Sequence, residues 1–391
     1  MSIYLDNSAT TRVRDEVLEA MLPFLAESCG NGSSIHRFGR QARKAMDEAR
    51  AHVATLLNAT PEEILFTPCG THSNNASILG AAAALEAAGD KRRHLITTAI
   101  EHPSCLGPAK FLEGRGWRVT YLSVDKEGVI QKGAFRAALS DETAIASIMW
   151  ANNEIGSLQE ITGYAELARE RGVHFHTDAV QVAGRLPIDV RKSPVDTLAL
   201  SGHKFYAPKG IGILYVRKGV KLSPLFFGGG QESGLVPGTE SVPSIVAIGK
   251  AAELAHKELP QTRVHLVQLQ AQLLRTIKDI PGVRFTGPRE IDQRLPGHVS
   301  FVVKKLEGEA LVMQMDLKGV MVSSASACHK GIIEPSHVVM ATGVSRDEAA
   351  GSIRMSVGRY NTMEECQKAV QVLASVIESL RTAEQTPSTP R

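Results

Sequence analysis

The sequence predicts an α/β fold in which a mostly parallel sheet is covered by helices on both faces, joined to a smaller α+β domain. Short apolar runs alternate with helix-like segments between residues 64 and 216, the pattern of a parallel sheet with crossover helices. Polar clusters stand directly after several of those runs: Glu101-His102, Asn152-Asn153-Glu154, Asp178 with Gln181, and His203-Lys204. Open α/β sheets bind ligands at the carboxyl ends of their strands, so these clusters point to one site. At 391 residues the chain is also long for a single core, which argues for two lobes.

In chain order, a short apolar-polar segment at 2–7 precedes a helix over 15–26 and a Gly/Ser loop at 30–34. A long helix follows, on which Ala42, Ala45, Met46, Ala49, Val53, Leu56 and Leu57 recur at helical spacing as a core stripe. The strand 64–67 breaks at Pro68-Cys69-Gly70-Thr71 into an alanine-rich helix that ends near Gly89. A strand, a glycine turn and a helix N-terminus can cradle a phosphate, because free N–H groups and the helix dipole face the anion; a plain turn reads equally well. Strands are expected over 94–99, 119–123, 144–149, 173–177, 197–201 and 212–216, with helices over 104–114, 133–139 and 163–171. After a glycine-rich stretch at 226–239 come helices over 242–259 and 262–278, a turn at Pro281-Gly282, a strand over 299–303, a loop around Cys328 and a last helix over 363–380. The domain change is placed near residue 256, giving a large domain over 15–255 and a smaller one over 256–381; the Thr/Pro/Gln-rich tail 382–391 is expected to be disordered.

With 43% hydrophobic and 22% charged residues, material for a sizeable core is present, and the net charge of +3 from scattered Lys and Arg gives no reason to expect nucleic acid or a membrane surface as partner. The five cysteines, Cys29, Cys69, Cys105, Cys328 and Cys366, are odd in number and have no CxxC spacing. That argues against a disulfide framework and a structural metal site, and for a reducing, cytoplasmic setting. No basic-then-apolar leader and no membrane-length apolar run is seen.

The run that ends in Ser201-Gly202-His203-Lys204 carries the most chemistry. A lysine at a strand end is partly desolvated, which frees its amine to condense with a carbonyl. Pyridoxal 5'-phosphate (PLP) requires such a lysine, and an acid beside its pyridine nitrogen so that the ring serves as an electron sink. Asp178 at the end of the preceding run is placed for that task.

On these motifs the chain resembles the PLP-dependent cysteine desulfurase and selenocysteine lyase family of the aminotransferase class V group, from Tyr4-Leu5-Asp6-Asn7-Ser8-Ala9-Thr10-Thr11 to Ser352-Ile353-Arg354-Met355 and on through Arg359. The resemblance implies PLP fold type I, the aspartate-aminotransferase-like fold, with residues 1–14 joining the smaller domain. It implies Lys204 as the PLP lysine, Asp178 at the pyridine nitrogen, Gln181 at the phenolic oxygen, and Gly70, Thr71, Ser201 and His203 at the phosphate. Thr239 would reach the phosphate of a second subunit. His102 would stack on the ring and move protons, Asn153 would sit beside cofactor and substrate, and Arg354 would bind the substrate carboxylate. Read on its own, His102 is a satisfied strand-end histidine, the commoner fate of a lone His, and Asn153 a turn cap.

Cys328, in a loop of small and polar residues beside His329 and Lys330, matches the sulfur-accepting cysteine, since neighbouring cations favour thiolate. A buried hydrophobic thiol is the alternative. The activity implied is removal of sulfur from L-cysteine to give alanine and a Cys328 persulfide, passed to an acceptor such as an Fe–S scaffold or sulfur carrier protein, by a homodimer. Selenocysteine lyase acting on L-selenocysteine, and a non-catalytic paralogue serving as an assembly subunit, remain open. His72, Ser233 and Val236 depart from the family pattern, where a glutamate and two arginines are usual.

Overall fold

The computed structural model describes residues 2–324, 327–329 and 332–385, with the backbone alone described for 327–329, 332–333 and 384–385. Seven strands form the main sheet: β2 (Ile64–Thr67), β3 (His94–Thr98), β4 (Arg118–Leu122), β5 (Thr143–Ser147), β6 (His174–Asp178), β7 (Thr197–Ser201) and β8 (Gly212–Val216). Their order is β2-β8-β7-β6-β5-β3-β4, and only β8 runs antiparallel to its neighbours. Because β8 opposes both β7 and β2, those two point the same way, and Gly212 pairs with Ser201 on one side and Thr67 on the other. All six remaining carboxyl ends therefore lie along one edge, where the expected polar clusters stand.

The helices between these strands are α3 (Gly70–Ala87), α4 (Pro103–Glu113), α5 (Lys132–Ala138) and α6 (Ile161–Glu170); before them come β1 (Ile3–Tyr4), α1 (Asp15–Leu25) and α2 (Arg37–Leu57). On α2 the residues Ala42, Met46, Ala49, Val53, Leu56 and Leu57 are buried, as their spacing predicts.

Two helices expected over 242–259 and 262–278 are one, α7 (Val242–Ile277), with Pro260 inside it. Proline removes one backbone donor and disfavours a helix interior by about 3 kcal/mol. Burial on both sides of it outweighs that penalty: Ile245, Ile248, Ala252 and Leu254 enter the core of the main sheet, while Leu266, Leu269, Leu273 and Ile277 enter a second core. That second core is built with β9 (Val283–Phe285), β10 (His298–Val303), α8 (Gly308–Leu317) and β11 (Val320–Met321). Beyond them lie the hairpin β12 (Ala327–His329) with β13 (Ile332–Glu334), then α9 (His337–Ala341), α10 (Arg346–Ala349), β14 (Ser352–Ser356) and α11 (Met363–Gln385). β10 lies between β14 and β9 in an antiparallel sheet, and β1 pairs with β11, which puts Ile3 and Leu5 into the second core. The tail expected from residue 382 begins inside α11; 386–391 lie outside the described residues. Where a loop was expected around Cys328 the backbone forms the β12–β13 ladder, consistent with the β-branched pair Ile332-Ile333.

The packing of α2 on α7 depends on Gly249, where a Cβ would lie 2.5 Å from the Cα of Ala49. Alanine gains about 1 kcal/mol of helix propensity over glycine, but a clash against backbone costs more than that gain. Gly249→Ala is therefore expected to destabilise the fold by about 2 kcal/mol, read as a lowered urea midpoint with an unchanged slope.

Candidate active site

One cavity at the carboxyl edge of the main sheet is lined by Gly70, Thr71, His102, Asn153, Asp178, Gln181, Ser201, His203, Lys204 and Arg354. Five strand ends and β14 of the second core thus contribute to a single wall. Of the described residues expected at the site, one stands apart. Thr239 is exposed and does not line the cavity, and the Cys328 side chain lies outside the described residues.

Lys204 follows β7 in a single helical turn, and its Nζ donates to the carbonyls of Ser8 and Ala9, both at 2.7 Å. Burial lowers its pKa to about 8, and Arg354 and Arg185 push the same way against Asp178 and Asp6. A neutral amine still has two N–H donors for those carbonyls. Asp178, the last residue of β6, is buried; its Oδ1 accepts from the Val180 N–H at 2.9 Å and its Oδ2 from Asn74 Nδ2 at 2.8 Å.

His102 caps α4, with its Nδ1 accepting from the Ser104 N–H at 3.1 Å. Its ring faces the cavity, yet desolvation by the walls lowers its pKa, aided by Lys204 and His337 and opposed by Asp178. Arg354 on β14 donates from Nη2 to Asp6 Oδ1 at 2.6 Å and from Nη1 to the Asn153 carbonyl at 3.0 Å, while its Nε is buried without a partner. An unpaired guanidinium N–H in a cavity wall is a ready donor to a carboxylate.

PLP fits these residues. The first turn of α3 has no side-chain cap, so its N–H groups are free to meet a phosphate beside Gly70, Thr71, Ser201 and His203. A Cβ on Gly70 would come within 3.0 Å of Val180 and 3.1 Å of Ser201, so a side chain there would have to push those neighbours aside. Asp178 supplies the acceptor for a pyridine N–H. Gln181 donates from Nε2 to the Ser8 carbonyl at 2.9 Å and leaves its buried Oε1 without a partner.

Sequence reasoning passed over several groups that the fold brings in. Asp6 belongs to the N-terminal motif, but its pairing with Arg354 spans 348 positions in the chain and has no local signal. Asn74 was one polar residue among several after β2. Glu101, beside His102, turns inward: burial raises its pKa to about 8, and its Oε1 accepts from Thr98 and from the Met149 N–H. Of the three departures, His72 stacks on Phe226 at 5.5 Å with its Nε2 unpartnered, Ser233 holds a left-handed φ of 58°, and Val236 is half-buried.

The fold and this edge-of-sheet site define a class. The profile described as aminotransferase class-V matches residues 3–369, and the chain belongs to that family. Within it, the chain is 45% identical over 390 residues to the cysteine desulfurase IscS of Methanosarcina thermophila, covering 100% of this chain and 95% of that one. It is 46% identical over 381 residues to the cysteine desulfurase IscS of Dictyoglomus turgidum, covering 97% and 95%. Among solved structures, a NifS-like protein superposes with a TM-score of 0.90 at 36% identity, over 97% of this chain and 100% of its own. SspA in complex with cysteine superposes with a TM-score of 0.79 at 36% identity, over 92% and 100%.

The Lys204 environment makes a pH prediction. With its pKa near 8, the neutral, reactive amine is the minority below that pH and the majority above it. Acetylation of Lys204 in the apoprotein, followed by peptide mass spectrometry, is expected to accelerate through about pH 8, while exposed lysines accelerate only towards their ordinary range near pH 10.

Proposed function

We propose that the protein is a PLP-dependent cysteine desulfurase, converting L-cysteine to L-alanine and carrying the sulfur away as a persulfide on Cys328. The observation that carries this reading is the set Lys204, Asp178, His102 and Arg354 in one cavity beside an uncapped helix N-terminus. The cysteine desulfurase relatives and the cysteine complex of SspA support the substrate.

In this reading Gly70, Thr71, Ser201 and His203 hold the phosphate, with Asp178 and Gln181 at the ring and Asn153 beside it. When bound, PLP withdraws electron density from the carbon that loses a proton. Arg354 receives the substrate carboxylate on its unpaired Nε–H, held by Asp6 and the Asn153 carbonyl so that the guanidinium need not reorganise. The Lys204 amine, its pKa lowered to about 8, takes and returns protons within the cavity, which the His102 ring also lines. The Cys328 thiolate attacks the substrate sulfur: an S–S bond forms, the C–S bond breaks with its electron pair left on carbon, and protonation there gives alanine. Nucleophilic attack at sulfur needs a soft thiolate, which a hydroxyl cannot replace near neutral pH.

The reading extends to a homodimer in which the exposed Thr239 completes the partner's phosphate site, to a cytoplasmic setting suited to a free thiol nucleophile, and to a sulfur acceptor protein. No helix among the described residues is long and apolar enough to cross a membrane.

With L-cysteine and a reductant, the purified protein is expected to form alanine and sulfide in equal amounts; absence of both would refute the assignment. Lys204→Ala should lower turnover by roughly 10³-fold or more. Cys328→Ser should bind PLP and cysteine as the wild type does, yet give no persulfide by mass spectrometry and almost no alanine. A serine variant that desulfurates at the wild-type rate would remove Cys328 from the mechanism.

A further inference from the structure

We propose that Asn74 is a positioning residue that fixes, through one amide nitrogen, both the Asp178 carboxylate and the proton on the His102 ring. The proposal rests on the reading above, in which the PLP ring lies against both groups. Asn74 sits on α3 with 1% of its surface exposed, and its Nδ2 donates at 2.8 Å to Asp178 Oδ2 and at 2.8 Å to Ser104 Oγ. The two hydrogens of that nitrogen are thereby used, one for each branch.

The direction of every bond follows from the carboxylate, which only accepts. Asn74 must turn its NH2 towards Asp178 and its oxygen towards His176, whose Nε2 lies 2.9 Å away and therefore carries the proton. His176 Nδ1 then accepts from Thr197 Oγ1 at 3.0 Å, and the Thr197 hydroxyl accepts in turn from Ser77 at 2.6 Å. Burial lowers the His176 pKa to about 3, so this ring is neutral and its Nδ1 is left to accept.

On the other branch, Ser104 Oγ already accepts from Asn74, which leaves its hydrogen for His102 Nδ1 at 2.8 Å. The Ser104 N–H points at the same nitrogen at 3.1 Å. Two donors on Nδ1 keep the neutral His102 proton on Nε2, the nitrogen left free of Ser104. Charging the ring requires both donors to give way. The groups that bear on this ring are Asp178, which favours the charge, and Lys204 and His337, which oppose it. Asn74 is thus the point at which the acid of the pyridine nitrogen and the stacking histidine are set together.

Two variants separate the branches. Asn74→Ala removes both donors, and Ser104→Ala removes only the His102 branch. PLP affinity of the apoprotein, measured by equilibrium dialysis, is expected to weaken by roughly 10-fold or more in Asn74→Ala, the loss of one hydrogen bond to a charged group, and to stay within about twofold in Ser104→Ala. NMR titration of 15N-histidine-labelled holoenzyme, with His102 assigned by its loss in His102→Gln, is expected to show the His102 midpoint moved up in both variants. If Asn74→Ala does not fold, the near-isosteric Asn74→Leu carries the same expectations, since it removes both donors without adding a charge.

Wild-type PLP affinity in the Asn74 variant, or a wild-type His102 midpoint in Ser104→Ala, would overturn the proposal. Neither readout uses turnover. The expected shifts in a protein that makes no alanine would therefore sink the desulfurase reading and leave this one standing.

Discussion

The ion pair from Arg354 to Asp6, at 2.6 Å, ties β14 to the N-terminal segment beside the cavity that Arg354 lines. Both partners are largely withdrawn from solvent, with side-chain exposures of 7% and 21%, so losing either would strand a charge. The same N-terminal segment bonds the lysine turn: the Ser8 and Ala9 carbonyls accept from Lys204, the Thr11 hydroxyl oxygen accepts from the Tyr206 N–H, and the Thr11 N–H donates to the His203 carbonyl. Asn7 reaches the Ser356 carbonyl at 2.9 Å. Residues 6–11 therefore bridge the two cores, and Ser8 and Ala9 of this segment line the cavity.

The electrostatics of the cavity follow from this arrangement. Lys204, Arg354 and Asp178 line the cavity, and Arg185 and Asp6 lie near enough to act on the lysine. The lysine is the most readily deprotonated of the three cations, so crowding is relieved there; a guanidinium keeps its proton through far greater desolvation. Burial brings Arg185 down only to about 10. The cavity thus combines permanent positive charge for anionic groups with one amine close to neutrality.

Much of this was legible in the chain. The alternation of strands and helices located the sheet, and the polar residues after Ser201, at Asp178 and at Glu101-His102 located its working edge, because strand ends are read locally. Arg354 was reached through the motif Ser352-Ile353-Arg354-Met355 that carries the family resemblance. What stayed hidden depends on distance in sequence: Asp6 against Arg354, Asn74 against Asp178, and Ser8 against Lys204 are all meetings of remote segments. The continuity of α7 was missed for a different reason. Pro260 carries a strong local signal for a break, and only the two cores flanking it outweigh that signal.

That helix has a mechanical consequence. Its 36 residues make a rod of about 54 Å whose halves are embedded in different cores. The cores cannot hinge as independent bodies on a loose tether; relative motion has to flex or twist the rod. Its softest point is Pro260, which lacks the N–H that would close the turn beneath it. Stiffness along most of the shaft and compliance at one residue confine displacement of the smaller body to a small-angle rocking about that turn.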